Sequence, residues 1–174
     1  MKESRFIIET FNGNQATADL IAAKHLETRL KQRDDGENEF QTNILGSQDD
    51  LKNMQTYYVE PGGGFWIAKE AASKNIAGFV GLCKKTNDIG MLKRMAVMPE
   101  YRGHHLGQRL VDALTLWAAN QGFQTICLAT GKDERARKLV YEPLGFVAVG
   151  FDDVHQDHMM ELQLSEDCKA RSNA

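Results

Sequence analysis

One run of the sequence, residues 89–130, restricts the fold more than any other. It contains a β-rich segment that ends at Pro99, a glycine-containing loop, an amphipathic helical segment and a second β-rich segment, TICLAT. In the helical segment, apolar residues recur every three or four positions, and Gly122 follows as a C-terminal cap. A strand, a crossover helix and a further strand are typical of parallel pairing. The run therefore predicts that its two strands pair in parallel or lie side by side.

The other apolar segments predict a sheet with several antiparallel strands. Residues 5–10 are β-rich, and three more β-rich runs within residues 64–98 are separated by short polar turns, as in an antiparallel meander. Two last β-rich runs, FVAVGF and HMMELQL, flank an acidic turn. The remaining predicted segments are helices over 16–31 and about 133–144, the second ended by Gly145, and a polar loop over 32–56 that could include a short helix.

Length and composition predict one globular domain. The chain has 174 residues, of which 42% are hydrophobic, and this is enough for one sizeable core without disulfides or metals. We expect a single domain over residues 1–164, followed by a polar tail over 165–174. Because Cys83, Cys127 and Cys168 are odd in number and widely spaced, we expect reduced thiols and no metal cluster.

Charge and hydropathy argue against two classes of partner. The 21 basic and 24 acidic residues give a net charge of -3, and no window concentrates Lys and Arg, so nucleic acid is not an expected partner. The N-terminal segment lacks the apolar core of a signal peptide, and no stretch is long enough to span a bilayer. We therefore expect a cytoplasmic protein without a membrane partner. A homodimer could form through an exposed sheet edge or the last strand, although no residue requires it.

The loop that follows Pro99 has the features of an anion-binding site. Arg102 and Gly103 form a tight turn, and Gly107 lies in the first turn of the next helix. A helix N-terminus leaves about four backbone N–H groups without intrahelical partners and carries the positive end of the helix dipole. A pyrophosphate can accept several of these hydrogen bonds at once. Alternatively, the two glycines serve only the turn and the packing of the helix.

The residues around this loop resemble the GNAT superfamily of acetyl-CoA-dependent N-acetyltransferases. That family's pyrophosphate loop reads Arg/Gln-x-x-Gly-x-Gly/Ala and follows a strand that ends in Val-x-Pro. The corresponding run here is Arg102 to Gly107, RGHHLG, after VMP, with His105 where the family usually has Gly. Downstream, YEPLGF at 141–146 resembles the family's Tyr-x-x-x-Gly-Phe. Two residues of the helix before it differ from the Asn and Ala that are common in the family, namely Glu134 and Arg137.

The resemblance implies a fold, a co-substrate and a set of binding residues. The implied fold is α+β (α/β three-layer), with a mixed, mostly antiparallel central sheet of six or seven strands flanked by helices. The implied co-substrate is acetyl-CoA, without a metal. Backbone groups of the strand would pair with the pantetheine arm, and the N–H of Val97 or Met95 would face the thioester oxygen. The implied cofactor-binding residues are Met95, Ala96, Val97, Arg102, Gly103, His104, His105, Leu106, Gly107 and Gln108.

Tyr141 is the candidate catalytic acid by the same resemblance, because the family's tyrosine at this position commonly lies near the CoA sulfur. A phenol with a pKa near 10 stays protonated at neutral pH and can donate a proton to a thiolate of similar basicity. The alternative interpretation is a core aromatic beside Leu144 and Phe146.

The sequence does not identify the general base that would deprotonate the amine. The family often has Glu on the strand before the loop, and Met91 occupies the matching position here. An acidic hairpin near the end of the chain would attract a cationic amine, although a solvated turn is the favoured interpretation of it. A metal site at two of its histidines is disfavoured, because their spacing in a loop is common. The candidate groups are Glu70, Asp88, Asp152, Asp153, His155, Asp157 and His158.

Taken together, these residues predict an N-acetyltransferase that moves the acetyl group of acetyl-CoA to a primary amine by direct attack in a ternary complex. A small-molecule acceptor is favoured over a protein, and the acceptor itself cannot be identified from the sequence. The first alternative is a CoA-binding regulatory or sensor module without catalysis, because Met91 replaces a carboxylate. The second is an unrelated α+β interaction domain with a chance match in the loop.

Overall fold

The structure, a computed structural model, describes residues 4–31, 49–131, 136–155 and 157–164. Its strands are β1 (Phe6–Thr10), β2 (Gly64–Glu70), β3 (Ile76–Lys84), β4 (Ile89–Val97), β5 (Thr125–Gly131), β6 (Val147–Asp152) and β7 (Asp157–Gln163). Its helices are α1 (Gln15–Lys31), α2 (Asp49–Lys52) and α3 (Leu106–Asn120), with short π-helical turns at Gln55–Val59 and Arg137–Tyr141 and 3₁₀ turns at Pro99–Tyr101 and Glu142–Leu144. Several predictions fall outside the described residues: those for most of the loop over 32–56, for the tail over 165–174, for Cys168 and for Glu134.

All seven strands belong to one sheet, in the order β1-β2-β3-β4-β5-β7-β6. Neighbours are antiparallel except for β4 and β5, which are parallel because the crossover helix α3 connects them. The predicted meander of β2, β3 and β4 and the predicted parallel pair are both confirmed. The mixed, mostly antiparallel sheet expected from the sequence is therefore present.

Helices cover both faces of the sheet. A Cβ placed on Gly78 of β3 would lie 3.1 Å from Leu110 of α3. The next residue, Phe79, points to the opposite face, where its ring lies 6.2 Å from that of His25 in α1. The sheet is therefore the middle of three layers, as the fold class predicted.

Helix α3 forms because its apolar residues lie on one stripe. Leu106, Leu110, Val111 and Leu114 are each at most 2% exposed, and their three- and four-residue spacing turns them all toward the sheet. After Asn120 the chain reverses at Gly122, whose φ of 92° is the left-handed conformation expected of a glycine that ends a helix.

The region before Gly145 is less regular than the sequence pattern predicted. A helix was expected over 133–144, and its described part consists of one π-helical turn followed by one 3₁₀ turn that contains Pro143. Proline has no N–H and cannot continue an α-helical hydrogen-bond ladder, so the last turn tightens there. Gly145, with φ 92°, ends the segment as predicted.

Candidate active-site cleft

The parallel strands β4 and β5 separate after a short paired stretch. Only three residue pairs join them, from Ile89 opposite Thr125 to Met91 opposite Cys127. Beyond Met91 the two strands diverge, and a cleft of about 960 Å³ opens between them. Its wall combines the second half of β4, the first turn of α3, the end of β5 and the turn at Arg137–Tyr141. A volume of this size lies at the upper end of ordinary ligand pockets.

A β-bulge shapes the β4 side of the cleft. The register between β3 and β4 shifts between Phe79, opposite Ala96, and Gly81, opposite Lys93. Two residues of β4 therefore oppose Val80, and the first of them, Arg94, has a φ of 57°. A bulge leaves backbone groups unpaired and bends the strand. The residues from Met95 to Val97 line the cleft directly after this bend.

A buried polar cluster underlies the bulge, and sequence reasoning did not find it. The Arg94 guanidinium donates to both carboxylate oxygens of Asp50, at 2.9 and 2.8 Å, and the Tyr58 hydroxyl donates to Asp50 at 2.5 Å. Burial, followed by the bond to Asp50, raises the pKa of Tyr58 well above its usual value. Burial alone would lower the pKa of Arg94, but its contacts with Asp50 outweigh burial and raise it. Nothing in the sequence spacing links these three positions, which come from α2, a π-helical turn and β4.

We predict that Asp50→Asn lowers the free energy of unfolding by about 2–3 kcal/mol, because it removes the charge opposite a largely buried guanidinium. The side chains of Arg94 and Asp50 are only 18% and 7% exposed. Urea denaturation measures the change. Glu70→Gln is the matched control, since the Arg5–Glu70 pair is 53% and 20% exposed and is worth at most about 1 kcal/mol. Equal losses in both variants would contradict the prediction.

The loop after β4 delivers the start of α3 to the cleft. Gly103 turns the chain with a φ of 82°, and the Arg102 Nε donates to the Val97 carbonyl at 3.3 Å. Leu106 and Gly107 in the first helical turn line the cleft wall. A Cβ on Gly107 would lie 2.6 Å from the terminal methyl of Met95, so a side chain there would close the gap between α3 and β4. The loop and the first turn of α3 thus lie at the cleft, and their binding of an anion stays a prediction.

His105, the residue that departs from the family pattern, has a φ of 55° and immediately precedes α3. This left-handed conformation costs a non-glycine residue about 1–2 kcal/mol, although histidine tolerates it better than most. The family's usual glycine adopts it without strain. The structure thus gives the physical reason for glycine at this position.

We predict that His105→Gly leaves the free energy of unfolding unchanged or slightly raised, whereas His105→Val lowers it by about 1–2 kcal/mol. Valine is branched at Cβ and fits a positive φ less well than histidine does. Glycine adopts this φ without strain, and its only cost is the larger conformational entropy that it loses on folding. Thermal unfolding of both variants beside the wild type measures the difference. A valine variant as stable as the glycine variant would show that the turn is not constrained.

Tyr141 lies in the cleft wall and is 5% exposed. Its ring packs edge-on against Phe146 at 5.6 Å. Tyr141 is therefore both a core aromatic residue and a part of the cleft wall. Burial raises the pKa of this phenol well above its usual value, so the hydroxyl stays protonated across the physiological range. Gln108 of α3 donates to the Leu139 carbonyl at 2.9 Å and thereby ties the Tyr141 turn to the start of α3.

The predicted cofactor-binding residues fall together, with one exception. Nine of the ten line the cleft, and the tenth, His104, does not. The His104 Nε2 lies 3.1 Å from an Arg5 guanidinium nitrogen, and its ring lies 5.6 Å from Phe6. Its side chain therefore faces the start of β1. Residues that the sequence did not single out also line the cleft, among them His25, Thr28 and Lys93.

The candidate general bases lie elsewhere. Within the described residues, no carboxylate lines the cleft. Glu70 pairs with Arg5, Asp88 accepts from Thr86 in the β3–β4 turn, and Asp152 pairs with His155 at the hairpin tip. In the described hairpin, Asp157 and His158 pair with Gly131 and Thr130, two residues that line the cleft, and an acidic rim there stays a prediction. No group of His, Cys, Asp or Glu in the described ranges is arranged to hold a metal ion.

The fold and the cleft define a class of α+β protein with a split sheet and a helix N-terminus at the split. The family model described as an acetyltransferase (GNAT) domain matches residues 61–148, just over half of the 174 residues, and the chain belongs to this family. The matched range contains the split strands, the loop and Tyr141. The resemblance inferred from the loop is therefore confirmed.

Similar proteins support the family and the fold. The chain is 30% identical over 101 residues to the probable N-acetyltransferase camello of Xenopus tropicalis, covering 57% of this chain and 45% of that protein. It is 30% identical over 108 residues to the N-acetylaspartate synthetase of Xenopus tropicalis, covering 61% and 39%. It thus spans less than half the length of these relatives. An acetyltransferase crystal structure from Streptococcus agalactiae shares the fold, with a TM-score of 0.75, 22% identity and coverage of 92% and 99%.

The described helices include none that is both long and apolar enough to cross a membrane.

Proposed function

We propose that the protein is an N-acetyltransferase that transfers the acetyl group of acetyl-CoA to a primary amine, with a small molecule as the acceptor. The observation that carries the proposal is the convergence of three features on one cleft: the β4 bulge, the glycine-lined start of α3 and the largely buried Tyr141 side chain. Each would meet a different part of one extended ligand. Membership of the GNAT family supports the same reaction.

Residues at the α3 end of the cleft would bind the diphosphate. The first N–H groups of α3 have no intrahelical partners. Gly103 has open space around it, and the missing side chain of Gly107 lets Met95 and Val140 lie close to the first turn. Arg102 adds a positive charge at the same end. Hydrogen bonds to a charged group contribute about 1.5–3 kcal/mol each, so four or five of them could supply most of the affinity.

Residues on β4 and in the Tyr141 turn would act on the thioester. An N–H of Met95 or Val97 would donate to the carbonyl oxygen as negative charge develops there. The amine nitrogen bonds to the carbonyl carbon while the carbon–sulfur bond breaks. Tyr141 gives its proton to the departing thiolate, and the proton lost by the amine restores the phenol through solvent. Atoms and charge balance over the cycle.

Two measurements test the proposal. Calorimetric titration with CoA and acetyl-CoA measures binding, and a thiol-reactive dye measures CoA release with a panel of primary amines. An active enzyme binds both ligands and releases thiol with at least one amine. A chain that ignores both ligands at millimolar concentration refutes the proposal.

The sensor module is the second candidate, because the described cleft wall contains no carboxylate that could act as a base. A sensor would bind acetyl-CoA with the same loop and release no thiol with any amine. The dye assay therefore separates the two candidates.

Self-association is proposed through the sheet edge at β6. This strand is last in the sheet order, and Val147, Val149 and Phe151 on it are 60%, 53% and 44% exposed. An unpaired apolar edge strand is a common site of strand-to-strand association. The domain limits of 1–164 and the cytoplasmic location expected from the sequence stay predictions.

A further inference from the structure

The charged side chains in the described wall of the cleft have one sign. Four of them are cationic and none is anionic: Lys93, Arg94, Arg102 and Lys138. Arg102 and Lys138 lie on the elements that form the diphosphate end of the cleft, the loop and the Arg137–Tyr141 turn. The charge of Arg94 is balanced by Asp50. The positive charge of Lys93 is not explained by either the proposed diphosphate or Asp50.

Lys93 lies on the other side of the bulge from the diphosphate loop. It pairs with Gly81 across the β3–β4 ladder, and paired residues of neighbouring strands point to the same face. A Cβ on Gly81 would lie 2.6 Å from Tyr58, so this is the face covered by the segment that carries Tyr57 and Tyr58. Lys93 precedes Met95 by two positions, which is about 7 Å of strand. Its flexible stem can therefore bring the ammonium close to the thioester end of the cleft.

The Lys93 ammonium is held by an aromatic ring and has no anionic partner in the described part of the chain. Its Nζ lies 5.5 Å from the centroid of the Tyr57 ring, within cation–π range. The nearby thiol of Cys83 is not a counter-ion, because burial raises its pKa to about 11 despite Lys93. Lys93 takes part in none of the ion pairs of the described residues. The ammonium is thus available to an anion from outside.

We infer that Lys93 makes the acceptor end of the cleft selective for a primary amine that also carries a carboxylate, as an α-amino acid does. The inference rests on the proposed function, since the thioester position defines the acceptor end. The ammonium pairs with the carboxylate and orients the neighbouring amine toward the β4 bulge. A nearby positive charge also lowers the pKa of the acceptor's own ammonium, which favours the neutral, nucleophilic amine. A polyamine meets repulsion at the same place.

The test compares amines that differ only by the carboxylate. The probes are L-phenylalanine with 2-phenylethylamine, and L-leucine with 3-methylbutylamine, together with spermidine. The ratio of kcat/KM for each amino acid to that for its decarboxylated partner is measured in the wild type. We expect a ratio above about 10, and a drop of about 10- to 100-fold in that ratio for Lys93→Gln, the usual effect of losing one charge-assisted hydrogen bond.

Two variants separate charge from structure. Lys93→Arg keeps the charge and should keep most of the ratio. Lys84→Gln removes an exposed lysine at the end of β3, outside the cleft wall, and should leave the ratio at the wild-type value. Thermal unfolding of all three variants shows whether Lys93→Gln is folded. A wild type that prefers the decarboxylated amines or spermidine overturns the inference, and so does an unchanged ratio in Lys93→Gln.

A binding measurement keeps this result distinct from failure of the proposed function. The amino acids and their partners are titrated into the CoA-saturated protein by calorimetry, with no turnover required. Tighter binding of the amino acid that is lost in Lys93→Gln supports the inference even if no thiol is released with any amine. Equal binding of both members of each pair overturns it, whether or not acetyl transfer is observed.

Discussion

Replacing Gly107 with tryptophan is expected to abolish measurable binding of CoA and acetyl-CoA. Gly107 lines the cleft in the first turn of α3, and a Cβ there would already lie 2.6 Å from Met95 and 3.2 Å from Val140. An indole must project into the space where the diphosphate would approach the helix N-terminus. Loss of two charged hydrogen bonds alone weakens binding by at least about 100-fold. Isothermal calorimetry with CoA measures the effect.

A graded series makes this prediction specific to the site. In Gly107→Ala the nearest atom is the end of the flexible Met95 side chain, which can rotate away, so binding should weaken by less than about tenfold. Gly122→Asn is the distant control: Gly122 also has positive φ, lies beyond the other end of α3 and has open space around it. It should cost about 1 kcal/mol of stability and leave CoA affinity intact. Normal CoA binding by the tryptophan variant would show that the start of α3 is not part of the binding site.

Tyr141→Phe should lower kcat by about 100-fold or more while changing the affinity for acetyl-CoA by less than threefold. General acid catalysis typically contributes about 10²–10⁴-fold, and phenylalanine preserves the ring that packs on Phe146. Because burial raises the pKa of Tyr141, the phenol stays protonated as the pH rises. Activity should therefore show no alkaline loss from this group. Steady-state kinetics between pH 6 and about 10 and calorimetry with acetyl-CoA measure the two quantities.

Tyr101→Phe is the comparison variant for this prediction. Tyr101 is buried and also lines the cleft wall, but its hydroxyl lies 3.4 Å from a Glu70 oxygen, so its removal should lower kcat by less than about threefold. Thermal unfolding shows whether either substitution disturbs the fold. If Tyr141→Phe is as active as the wild type at every pH, Tyr141 is not the acid and its role is packing.

Short sequence patterns were sufficient to predict those features that depend only on residues close together in the chain. The α3 stripe from Leu106 to Leu114, the stop at Gly122 and the seven β-rich runs each follow from spacing and from residue type within a short window. Nine residues of the predicted binding set line one cleft, because a strand end, a turn and a helix start are contiguous along the chain. His104 was the exception, since its side chain is oriented by Arg5, about a hundred positions away.

The sequence by itself determined the seven strands in chain order, the parallel crossover at β4–β5 and the position of the loop that leads into α3. Only the tertiary structure decided which polar groups meet. It pairs Asp50 with Arg94 across 44 positions, leaves the described cleft wall without a carboxylate and places the half-buried Lys93 over the Tyr57 ring. The physical reason is range. Backbone hydrogen bonding and hydrophobic periodicity act over a few residues, whereas the partner of a buried charge depends on how separate elements pack, and no spacing along the chain records that.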